Sequence, residues 1–311
     1  MEPKRLCFFY IDDIIWTLRD LTRTMPKSLF DVPFMALLKK GHDLYGMKVQ
    51  LNLFYQTDFY YGEDTFTLSD VTDAYKHEFE AASDWLRFGF HSKQEFPDYP
   101  YINASYEDVK INFDRTYREV CRFASPKNFA YATVPHWMPI SKEGCRALKD
   151  CGIKVISVSK GEKIEYNGDP TSLPYGHSKR LLLNKTPDSG VYYEPKRAGV
   201  LSTALHGYNH LTMDEYNSVI NTTNGIYNEE IGIYFKPLAG APGINANTME
   251  QLVEKIPAFL DKDYIGYGTH EQYFYPDYLF YQPDYPEKVL YAAKMYHDNG
   301  YTYIFAEDLF K

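Results

Sequence analysis

The sequence predicts an α/β fold: one domain shaped as a distorted TIM-like (β/α) barrel of roughly seven or eight units, with an insertion in its second half. Three observations predict it. Short apolar runs alternate with amphipathic segments from residue 6 to residue 158. Polar residues recur where the apolar runs stop, the end of a parallel strand that carries chemistry in barrels of this type. The rhythm breaks over residues 160–243 and resumes from 247 to 305. All of 1–311 therefore reads as a single domain, with 160–243 as an insertion on the catalytic face.

The elements follow in order. Leu6–Ile11 is rich in strand formers and stops at Asp12 and Asp13. Residues 14–21 are the segment that an acid at 12 or 13 can cap as a helix. Phe30–Gly41 has apolar positions at helical spacing and a closing glycine. Lys48–Tyr55 alternates as a strand does. Ser69–Trp85 reads as a helix with Ser69 at its N-cap. Leu86–Phe90 is a strand ending at His91. Tyr106–Phe123 is strongly periodic. Phe129–Val134 is a strand ending at Pro135 and His136. Ser141–Asp150 is a helix closed by Gly152, and Lys154–Val158 is a strand.

Within the insertion, Arg180–Leu183 and Val191–Glu194 suit a hairpin. Val200–His206 suits a strand and Met213–Asn221 a short helix. The alternation then resumes with Asn247–Leu260 as a helix and Tyr264–Thr269 as a strand ending at His270. Pro286–Asp298 is a helix and Tyr301–Phe305 the last strand.

Composition excludes several classes. The net charge of −9 repels phosphate backbones and argues against nucleic acid as a partner. No stretch approaches the ~20 apolar residues of a membrane helix. Cys7, Cys121, Cys145 and Cys151 form no CxxC pair and read as reduced, small apolar residues. The apolar run Leu6–Ile11 is too short for a signal-peptide h-region and ends in two aspartates, so the expectation is a cytoplasmic protein. The 30 tyrosines and 20 phenylalanines mostly belong in the core, but Tyr also suits clefts for sugars or other polar rings. The expected partner is thus a carbohydrate or a small-molecule substrate, and the sequence leaves oligomeric state open.

Four constellations can carry chemistry. Asp12 and Asp13 offer one carboxylate for a metal and one as general base, or else they cap the following helix. His91 and Glu95 share a face if the chain turns helically there, and both can then ligate one cation; the alternative is an ordinary polar loop. His270 and Glu271 follow a strand, and His270 can donate a proton to a leaving group; alternatively it bonds backbone. His206 and His210 stand at i, i+4, a metal-ligand spacing, and can bind metal, contact substrate or occupy a loop.

Asp-Asp after the first strand, His-Ser after the third and a late strand-end His stand here in the chain order of polysaccharide deacetylases of the NodB-homology type. The chain resembles that family over most of its length, as a divergent member of the glycoside hydrolase/deacetylase barrel superfamily. The resemblance implies Asp12 as general base, Asp13 and His91 as ligands to one divalent metal, usually zinc, and His270 as general acid. The family's second histidine of this motif has no match, and Glu95 is the nearest candidate. That substitution makes manganese or magnesium plausible beside zinc. Where the family carries an arginine before a proline, which holds the base aspartate in place, this chain has Thr133, Val134, Pro135 and His136, and the resemblance makes His136 a candidate for part of that role.

The function this implies is removal of an N- or O-acetyl group from a carbohydrate by metal-activated water. His136, Trp137, His206, His210 and Glu271 are the candidate substrate contacts, and Tyr192, Tyr193 and Tyr208 can line the cleft. The same barrel also serves hydrolysis of other C–N bonds, non-catalytic carbohydrate binding and two-carboxylate glycosidases.

Overall fold

Strand β1 (Leu6–Ile14) lies between two parallel neighbours, and every part of the candidate site is arranged around its C-terminal end. The computed structural model describes residues 5–57, 65–96, 99–161 and 207–310. The expected hairpin over 180–194, the strand 200–206 with His206, and Tyr192 and Tyr193 lie outside the described residues.

The remaining strands are β2 (Val49–Phe54), β3 (Leu86–Ser92), β4 (Ala132–Thr133), β5 (Val155–Ser157), β6 (Ser159–Lys160), β7 (His210–Leu211), β8 (Ile226–Asn228), β9 (Ile233–Lys236), β10 (Tyr264–His270) and β11 (Thr302–Tyr303). One sheet runs β10-β1-β2-β3 with β11 beside the start of β1, all parallel. A second runs β4-β5-β9-β8, parallel except for β8. A short parallel pair, β6 and β7, stands apart. The protein is therefore a mixed α/β fold with mostly parallel sheet. β9 pairs with β5 in the second sheet, so the stretch expected as an insertion over 160–243 includes sheet structure near its end.

The helices are α1 (Trp16–Thr24), α2 (Pro33–Tyr45), α3 (Lys76–Ala81), α4 (Tyr106–Phe123), α5 (Lys142–Asp150), α6 (Met213–Val219), α7 (Met249–Lys255) and α8 (Tyr285–Asp298). α4 shows why the periodic segment is a helix. Ser105 accepts from the Asp108 amide as its N-cap, and Val109, Phe113, Thr116, Val120 and Phe123 fall on one buried stripe. That stripe packs on β3, with Phe90–Phe113 and Phe88–Phe123 ring centroids 5.7 and 5.4 Å apart. α2 begins at Pro33 rather than Phe30, because proline suits the first helical turn, and Leu29–Asp31 forms a separate 3₁₀ turn. Over 69–85 the helix shrinks to α3. Thr67 and Asp70 cap a 3₁₀ turn at Leu68–Asp70, and the Arg122 guanidinium takes the carbonyls of Leu68, Ser69 and Val71.

β2 is buried on both faces. Val49, Leu51 and Leu53 join the core under the helices, whereas Gln50 and Asn52 alternate onto the other face. Phe8, Ala132, Val134, Val155, Leu238 and Tyr264 form a second cluster that draws side chains from both parallel sheets. Among the described residues no helix is long and apolar enough to cross a membrane.

Candidate metal centre

Two register irregularities build the centre. In a regular strand Asp12 and Asp13 would point to opposite faces. The β1–β2 register slips between Ile11 and Ile14, and Asp13 takes a left-handed φ of 65°. This bulge turns both carboxylates toward the same group of histidines. The β2–β3 register slips in turn between Leu53 and Phe54, opposite His91. After β4, Trp137 and Met138 have φ of 61° and 78°. Tyr99, whose ring lies 5.2 Å from that of Trp137, has φ of 53°. Of the five non-glycine residues with positive φ among the described ones, only Met25 lies elsewhere, so the unfavourable backbone is concentrated here.

Asp13, His91 and His136 are all buried and converge. Asp13 Oδ1 lies 3.1 Å from His91 Nε2 and 3.6 Å from His136 Nδ1, and the two nitrogens are 3.0 Å apart. The far nitrogen of each ring faces a main-chain carbonyl, which can only accept. His91 Nδ1–H donates to Val134 O at 2.5 Å, and His136 Nε2–H donates to Glu95 O at 2.8 Å. Each neutral ring then turns a lone pair inward, beside a carboxylate oxygen. Three acceptors meet with no donor between them, and only a cation or an extra proton resolves that. Ligands about 2.0–2.1 Å from a tetrahedral ion stand roughly 3.3 Å from one another, and the three edges here match. Phe54 packs against both imidazoles, at 5.5 and 5.0 Å, and the carbonyls set their tautomers. The three residues therefore fit one divalent ion.

Electrostatics agree with the geometry. Burial pushes the Asp13 carboxyl up, but His270, His91 and His136 together outweigh it and hold Asp13 well below the usual range. Burial would lower His91, yet the charges of Asp12 and Asp13 leave it raised. His136 is lowered to about 3, first by burial and then by His91. A proton in the ion's place would therefore reside on His91. Asp12 is raised, chiefly by burial, against the pull of His91 and His270.

The other residues expected at the site distribute as follows. Asp12 stands beside the three-residue set, 3.9 Å from His91 Nδ1, and accepts from Asn52 Nδ2 at 2.7 Å. His270 is beside the set with its side chain 43% exposed; its Nε2 is 4.0 Å from Asp13 Oδ2 and its Nδ1 3.3 Å from Asn245 Oδ1. Trp137 flanks His136, ring centroids 5.9 Å apart. His210 is buried on β7, its Nδ1 3.2 Å from Ser159 Oγ, and is not one of the converging set.

Two expectations change. Glu95 was the expected third ligand because His91 and Glu95 share a face of a helical turn. The chain instead stays extended through Ser92 and then bends, so that spacing no longer aligns them. The Glu95 carboxylate meets Gln272 Nε2 at 3.3 Å, its carbonyl holds His136, and His136 stands in the set. Glu271 was expected to touch substrate. It is fully buried, and its carboxylate accepts from the amides of Ile15, Trp16 and Thr17 at 2.7–2.8 Å. Glu271 therefore caps α1 from across the fold. That leaves Asp12 and Asp13 free of the capping role.

Sequence reasoning missed Gln50, Asn52, Asn209 and Asn245. Asn209, fully buried, spans Met138 O, Ser157 O and the Ile140 amide, and so holds the loop that follows His136. The pair Gln50 and Asn52 did leave a signal: two inward amides in a strand whose parallel, doubly buried setting calls for apolar side chains.

No protein-family model matches the chain, and no curated protein matches it either.

Proposed function

We propose that this protein is a metal-dependent hydrolase of the polysaccharide-deacetylase kind, which removes N- or O-acetyl groups from a carbohydrate. One observation carries the reading: Asp13, His91 and His136 converge as three acceptors, with a second carboxylate, Asp12, beside them and outside the set. Two imidazoles and one carboxylate suit zinc best, with manganese as the next choice. Such an ion supplies Lewis acidity, polarising a carbonyl oxygen and making water nucleophilic near neutral pH. Asp12 takes the proton of the attacking water. His270, half-exposed beside Asp13, gives a proton to the departing amine or alcohol. Trp137 offers an aromatic face to a sugar ring.

We infer further that the two sheets close into one barrel. A closed barrel is supported at both seams between the sheets. The Ala130 amide donates to Phe88 O at 2.8 Å, and Thr133 Oγ1 to Phe90 O. On the other side Gly240 and Ala241 donate to Gly266 O. The four free cysteines suit the cytoplasmic placement.

The test is acetate release from a panel of acetylated mono- and oligosaccharides by zinc- or manganese-loaded protein, compared with Asp12→Asn. The reading expects release that falls at least about a hundredfold in Asp12→Asn while the ion stays bound. Equal release by both proteins, or none from any member of the panel, refutes it.

A further inference from the structure

Asp12 is held by a buried chain of amides whose polarity is dictated from its far end. Ala132 O can only accept, so Gln50 must turn its NH₂ toward it, at 3.0 Å. The same nitrogen lies 2.7 Å from the Asn52 side chain, which must therefore present its oxygen. Asn52 is left to aim its own NH₂ at Asp12 Oδ1, 2.7 Å away. The order is Ala132 carbonyl, Gln50, Asn52, Asp12, and it ends in a donor facing a carboxylate.

The surroundings are shaped for this chain. Gln50 and Asn52 are both fully buried. Gly89 stands opposite Asn52 in the parallel register of β2 and β3. A Cβ at residue 89 would lie 2.3 Å from Asn52 Oδ1 and 2.6 Å from Gln50 Nε2, so only glycine admits the pair. Apolar residues would fill this strand face at lower cost if packing were its only task.

We propose that Asn52, braced by Gln50 and admitted by Gly89, is the positioning residue for Asp12. It pins one carboxylate oxygen, leaves the other for the reaction, and keeps Asp12 out of the ion's ligand set. The inference rests on the hydrolase reading for what Asp12 does, not for what holds it.

A double-mutant cycle tests it, using the full chain, Asn52→Leu, Asp12→Asn and the double variant. Two readouts are taken. One is the visible absorption of protein loaded with cobalt(II), which reports the ion's ligand set. The other is hydrolysis of 4-nitrophenyl acetate by zinc-loaded protein. Asn52→Leu is expected to bind one cobalt with an altered spectrum, as the freed Asp12 swings toward the ion. It is also expected to lose roughly ten- to hundredfold in kcat at unchanged KM. Both effects should vanish in the Asp12→Asn background. A wild-type spectrum and rate in Asn52→Leu overturns the proposal, as does the same change in both backgrounds. If wild type hydrolyses nothing, the hydrolase reading is what suffers, and the cobalt cycle still decides the role of Asn52. Should Asn52→Leu fail to fold, Asn52→Ser replaces it, because its shorter side chain also breaks the reach to Asp12.

Discussion

Glu271 and Asp13 are both buried acids near the ends of neighbouring strands, but their partners differ in kind. Glu271 offers two oxygens and receives three amides from the start of α1, so its negative charge is met by donors. Burial pushes its carboxyl up to about 7, against the pull of those amides. Asp13 offers an oxygen to two rings whose donors are already spent on Val134 O and Glu95 O. Burial alone therefore does not mark function. The balance of donors and acceptors does: Glu271 is complete within the chain, and Asp13 is complete only with something positive added.

The largest expected effect comes from removing an inward lone pair. His136→Ala and Asp13→Ala should each fall from about one equivalent of zinc per chain to almost none, by elemental mass spectrometry after dialysis. A zinc-replete His136→Ala would mean that the inward lone pair of His136 does not hold the ion. Next, Glu271→Ala strands buried amides and should cost roughly 2–5 kcal/mol in denaturant unfolding, with zinc retained. Zinc loss there without a loss of stability would mean that the two acids are not separate in role.

A smaller effect follows from pH. The raised His91 keeps its proton to a higher pH than an ordinary histidine, and that proton occupies the ion's place. Apparent zinc affinity should therefore fall as pH drops below the His91 value, by about tenfold per unit for one displaced proton. Titration with a competing chelator between pH 5 and 8 measures the slope, and a flat profile would exclude His91 as a ligand. The smallest effect sharpens the assignment of the third ligand. Glu95→Ala keeps the carbonyl that holds His136, so zinc affinity should change by less than about threefold, roughly 0.6 kcal/mol. A loss as large as that of His136→Ala would return Glu95 to the ligand set.

Local chemistry made much of this legible. Short runs of strand-forming apolar residues mark β1, β2, β3 and β10, and the stripe of α4 follows from its period. Asp12, Asp13, His91, His136 and His270 all stand at or just past the ends of such runs, which points to one polar rim. Shorter elements blurred because proline and long-range caps redefine helix starts, as at Pro33 and around Arg122.

The α/β alternation and the set of polar residues at strand ends depend on periods of a few residues, so both are legible in the chain. Which of those residues meet depends on long-range packing. Two bulges turn Asp13 and His91, a carbonyl from residue 95 orients His136, and an acid at 271 caps a helix that begins at residue 16. The direction of a lone pair depends on partners dozens to hundreds of residues away along the chain, and no local spacing encodes that.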